Sequence, residues 1–90
     1  MLFRSGVAAN NLAWMLAEDG RYDEALRWAT IATEVLRNRA EPHDTLGWIR
    51  LRMNQPAAAL ASFERARDLA PQTRTYQDHL QSAREALKKE

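Results

Sequence analysis

Ninety residues, 46% of them hydrophobic and only three each glycine and proline, describe one small folded domain and exclude a collagen-like or linker-like chain. A net charge of +1 excludes the strong one-sign field that draws proteins onto nucleic acid or anionic lipid. The absence of cysteine excludes disulfides and thiolate zinc sites and leaves the compartment open. Residues 1–7 hold one basic residue and a scrap of apolar sequence, too little for a signal peptide or a membrane span. A cytoplasmic location without membrane association is therefore the expectation, with 1–6 a frayed lead-in.

A first helix is predicted over about 7–18, with Ala8, Leu12 and Met15 on one stripe and Ala9, Ala13 and Leu16 beside it. Asp19-Gly20 stops it, the glycine supplying a left-handed residue at the helix end. The second helix starts at Tyr22, places Asp23 and Glu24 where the helix dipole favours negative charge, and ends near Arg37. Its core stripe is Ala25, Ala29, Ala32 and Leu36. A third helix, about 42–53, and a fourth, about 56–69, flank Asn54-Gln55-Pro56. Asparagine tolerates the left-handed conformation past a helix end, and proline is tolerated at a first helical position, so this tripeptide reads as a tight turn in a helical hairpin. A fifth helix, about 74–88, follows Pro71 and carries a single apolar stripe of Tyr76, Leu80, Ala83 and Leu87. The expected architecture is all-α, with five helices and no strand.

A shift of 34 residues superposes the chain on itself. Leu12 falls on Leu46, Ala13 on Gly47, Trp14 on Trp48, Gly20 on Asn54, Ala25-Leu26 on Ala59-Leu60, Ala32 on Ala66 and Val35 on Leu69; Leu46 and Asp44 then fall on Leu80 and Asp78. The period, the small residues at close-packing positions, Ala59 four before Phe63, and Pro71 at the end resemble the tetratricopeptide repeat, whose signature is W-x2-L-G-x2-Y, A-x3-F and P. The resemblance spans roughly nine-tenths of the chain. His43 stands where the family has Trp and Arg50 where it has Tyr; the first repeat departs at Ala9, Leu16, Ala29 and Arg37. The resemblance implies a helical-hairpin solenoid wound as a right-handed superhelix, a single domain over 1–90. It would divide into a repeat over 6–39, a second over 40–73 and a capping helix over 74–90. In that last helix Gln81, Ser82 and Arg84 replace the small and apolar residues of the earlier repeats, so it reads as the solvating end of the array.

The resemblance also implies where function lies. In such arrays the first helix of each hairpin lines a concave groove that holds an extended peptide or a partner helix. Carried over, the groove presents Asn10, Trp14, Ala17, Asp44, Thr45, Trp48, Leu51, Asp78, His79 and Ser82. Trp14 and Trp48 should neighbour one another, a rigid apolar anchor for a protein or peptide partner. The lysine, asparagine and arginine set with which one subclass grips a C-terminal carboxylate is missing. Its places hold Asn10, Trp14, Thr45, Thr75 and His79, of which only Asn10 fits, and Asp44 and Asp78 would repel a carboxylate.

Other chemistries find less support. No catalytic constellation forms around His43 and His79, and His43 is expected to pack in the place of the missing aromatic. Asp44, Asp78 and His79 could be drawn as metal ligands, but solvated polar residues are the commoner outcome; no metal and no cofactor is expected, and the chain reads as non-enzymatic. The alternative class is an RNA-binding helical-repeat protein using Arg50, Arg52, Arg65, Arg67, Arg74 and Arg84 as a patch. Interleaved Asp44, Glu64 and Asp68 and the balanced charge argue against it. A homo-oligomer, or else a longer array whose preceding repeat covers the first helix while Trp28 fills the space left by Ala29, is expected on a different ground. Ala8, Leu12 and Met15 would face a preceding repeat for which only Leu2 and Phe3 are available as cover, and Trp28, Ile31 and Val35 make a second stripe beyond what the repeat needs. The module thus reads as an adaptor or scaffold.

Overall fold

The computed structural model describes residues 5–89. Residues 1–4, with the proposed cover Leu2 and Phe3, and residue 90 lie outside them. The described residues form α1 (Gly6–Glu18), α2 (Tyr22–Val35), α3 (Ala40–Arg52), α4 (Pro56–Leu69) and α5 (Arg74–Lys88), with no strand among them. α1 pairs with α2 and α3 with α4 as antiparallel hairpins, and α5 packs on α4. The layers stack into a body of 45 × 29 × 16 Å, long in one direction as a solenoid is.

Helix ends follow from local chemistry. Ser5 is no frayed lead-in: its hydroxyl accepts the Ala8 N–H at 3.0 Å, capping α1 so that the helix begins at Gly6. α1 and α3 end alike. Gly20 (φ 79°) and Asn54 (φ 62°) take the left-handed conformation, and the next residue's N–H returns to the carbonyl five before it, Arg21 to Leu16 and Gln55 to Arg50, both at 2.9 Å. α3 starts two residues before the expected Pro42. The first-turn N–H groups have no intrahelical partner, so proline fits as well at the third helical position as at the first. α2 stops at Val35, two residues short of the expected end. Leu36 leaves helical geometry and lays its side chain against Gly6, where a Cβ would collide with it.

Two clusters form the core. Ala13, Ala17, Ala25, Ala29, Leu46 and Ile49 join the first hairpin to α3, with Leu16, Tyr22, Leu26, Trp28 and Met53 packed around them. Ala59, Phe63, Leu80 and Ala83 join the second hairpin to α5, with Trp48, Leu51 and Leu60 alongside. Alanine stripes let helix axes approach closely. Gly47 goes further, since a Cβ there would lie 2.6 Å from the fully buried Phe63 ring. One turn into α3, His43 does not fill an aromatic's place in the core. It is half-buried, and its Nε2–H donates to the Arg37 carbonyl at 3.0 Å, tying α3 to the end of the first hairpin.

Candidate functional site

α1, α3 and α5 are the first helices of successive layers, and their side chains meet across the stack. The Trp14 and Trp48 rings stack with centroids 6.2 Å apart and planes 29° apart. Trp48 stacks in turn with the His79 imidazole at 6.3 Å and 22°. These separations fall within the range of favourable offset stacking. A continuous ladder, Trp14–Trp48–His79, thus runs through three helices that the sequence separates by 34 and 31 residues.

The ladder's inner end is pinned. His79 Nδ1–H donates to Asp44 Oδ1 at 2.7 Å, and its ring also packs tilted on Phe63 at 5.5 Å. Burial pushes the Asp44 carboxyl above its ordinary range, and the hydrogen bond and charge of His79 oppose part of that rise. The guanidinium of Arg52 lies over the Trp48 ring, 4.8 Å from its centroid, a cation–π contact. The outer end is open: Trp14 keeps 39% of its surface exposed. One turn before Trp14, the carboxamide oxygen of Asn10 is buried with no hydrogen-bond partner, an unmet acceptor beside the ladder.

The remaining expected groove residues divide. Asp78 and Ser82 are exposed, with the Ser82 hydroxyl donating to the Asp78 carbonyl at 3.2 Å. Leu51 is half-buried against the second cluster. Ala17 is a correction: it is only 4% exposed, buried within the first cluster rather than presented on the surface. Thr45 is also buried, one turn before the fully buried Ile49 on the same helix. Arg52, read from the sequence only as part of an arginine patch, lies against the ladder. Its spacing four after Trp48 was the available signal, since residues i and i+4 share a helix face.

The other stripes are less uniform than expected. Met15, Ile31 and Val35 are 64%, 40% and 47% exposed, whereas Ala8 and Leu12 are half-buried. Trp28 is not surplus to the packing: it is half-buried against the first cluster. Of the arginines weighed as an RNA patch, Arg50 bonds Ser62 at 3.2 Å, Arg52 covers Trp48 and Arg67 pairs with Asp68 at 2.9 Å. Among the described residues no group of three His, Asp or Glu side chains is arranged to hold a metal ion, and no helix is long and apolar enough to cross a membrane.

No protein-family model matches the chain, and no curated protein sequence does. Among solved structures it is similar to the first tetratricopeptide-repeat domain of Spaghetti (RPAP3), determined bound to an HSP90 peptide, SRMEEVD. The TM-score is 0.87 over 93% of this chain and 67% of that one, at 19% sequence identity. The fold is that of the tetratricopeptide repeat, an all-α helical-hairpin solenoid.

Proposed function

We propose that this chain is a non-catalytic protein-interaction module whose concave face takes an extended peptide or a partner helix across the Trp14–Trp48–His79 ladder. The ladder carries the reading. Stacked indoles with one end open present a rigid apolar platform that loses little conformational entropy when a partner lands on it. Support also comes from the structural neighbour, which holds a peptide on the same fold. That peptide carries two glutamates and a terminal aspartate, whereas Asp44 and Asp78 stand on this chain's face, so a different peptide chemistry is expected here.

Panning a displayed random-peptide library on the purified chain tests the reading. Selected peptides should lose binding to Trp14→Ala while its circular dichroism stays close to the parent's, since Trp14 is 39% exposed and belongs to neither core cluster. Peptides that bind Trp14→Ala undiminished would end it.

A second reading, self-association through the first hairpin, rests on exposed Met15, Ile31 and Val35 and on an open depression lined by Leu12, Met15 and Leu16 with Glu18, Asp19 and Arg21 at its rim. Sedimentation should show a dimer that Met15→Glu or Ile31→Glu dissociates without loss of helicity. A monomer at high micromolar concentration would exclude it.

A further inference from the structure

The ladder's two tryptophans differ in the charge that follows them. One turn after Trp48 stands Arg52, with its guanidinium over the indole. At the equivalent place one turn after Trp14 stands Glu18. An aromatic face flanked by a guanidinium is satisfied within the chain, whereas one flanked by a carboxylate is the complement of a second cation, since Arg52, at the register position of Glu18, is held over Trp48 and against the Tyr22 hydroxyl. Nearby Arg21 is already committed to Glu24, at 2.7 and 2.9 Å, and Glu18 has no ion-pair partner among the described residues.

The surroundings have the same sign. α1 contains no basic residue. Asp78, at the register position of Asp44 and Asn10, is exposed and unpaired among the described residues. The ladder faces of α1, α3 and α5 therefore carry Glu18, Asp44 and Asp78 against the guanidinium of Arg52, on a chain whose net charge is +1.

We infer that the groove selects a basic peptide, one arginine of which stacks on the open face of Trp14 and pairs with Glu18, repeating between molecules the contact that Arg52 makes with Trp48. The inference rests on the groove reading above. An exposed cation–π contact with an exposed ion pair corresponds to a preference of about three- to tenfold for arginine over a neutral isostere. The preference should weaken as salt rises, because both partners of the ion pair meet solvent.

Three capped synthetic peptides serve as probes: Gly-Ala-Arg-Ala-Ala-Arg-Ala-Gly, its citrulline counterpart and its glutamate counterpart. Titrations are followed by the indole N–H signals in 1H–15N NMR spectra, assigned with single Trp→Phe variants. The expected result is a shift of the Trp14 signal, an affinity order arginine, citrulline, glutamate, and a loss of about three- to tenfold for the arginine peptide on Glu18→Lys. The citrulline peptide should be indifferent to that variant. Glu18 is exposed at a helix C-terminus, where lysine suits the dipole, so Glu18→Lys should fold as the parent does. Equal affinities for the arginine and citrulline peptides, or no effect of Glu18→Lys, would overturn the inference. Library peptides that depend on Trp14 but carry no basic residue would overturn it while leaving the groove reading standing. If no peptide of any charge depends on Trp14, both fall.

Discussion

α1 and α3 occupy the same place in consecutive hairpins, and they live in different surroundings. Ile49 is fully buried between the hairpins, whereas Met15, its register equivalent, is 64% exposed. Gly47 lies against Phe63; Ala13, its equivalent, shares its cluster with Ala29, which stands where the second hairpin has Phe63. Asp44 is bonded to His79, whereas the oxygen of its equivalent Asn10 has no partner. Trp48 is flanked by an arginine and half-buried, Trp14 by a glutamate and open. A repeated sequence pattern repeats the helix and its approach distance. The neighbour on either side decides what each position experiences.

The sharpest way to break the comparison is to truncate the equivalent pair. Ile49→Ala should destabilise the domain by about 2–5 kcal/mol, and Met15→Ala by no more than about 0.5 kcal/mol, in urea unfolding followed by circular dichroism. Equal losses would mean that the edge of α1 is as covered as the face of α3. Next comes the close approach at Gly47. Gly47→Ala improves helix propensity yet forces a methyl into the Phe63 ring, with a net expected loss of about 1–3 kcal/mol. Pairing it with Phe63→Leu should cost less than the sum of the two single losses, because the shorter side chain clears the methyl.

Smaller effects sharpen the equivalences that do hold. Gly20 and Asn54 share a left-handed turn, so Gly20→Asn and Asn54→Gly should each change stability by no more than about 0.5 kcal/mol. Alanine at either position should cost about 1 kcal/mol, read from the same unfolding curves. The smallest expected effect is a pH slope at Asp44. Its carboxyl is raised in the folded state, so folded chains bind more protons than unfolded ones between the ordinary aspartate range and the raised value. Over that window this group makes stability fall as pH rises, and the loss is complete once Asp44 has ionised. Asp44→Asn keeps an acceptor for His79 and should flatten that part of a melting-temperature profile between pH 3 and 7. An unchanged profile would show that burial does not dominate at Asp44.

Local chemistry made much of the fold legible before any coordinate. Five helices, the stops at Gly20 and Asn54, the alanine stripe of α2 and the neighbouring Trp14 and Trp48 follow from period, capping preference and a 34-residue register. These are properties of residues within a turn or two of one another, or of positions one repeat apart. Boundaries drifted where a side chain answered to something distant. Leu36 left its helix to pack on Gly6, whereas Pro42 sits in a first turn that tolerates it, two residues after the helix begins.

The ladder's third ring, its pinning by Asp44, the cover of Arg52 and the burial of Ala17 depended on stacking. Each arises from helices that meet only after the hairpins pack, at sequence separations beyond any local period. Sequence by itself determined the repeating unit, because helix spacing and turn chemistry are local. Tertiary structure alone decided which copies of that unit's side chains are open to a partner, because exposure belongs to the neighbour as much as to the residue.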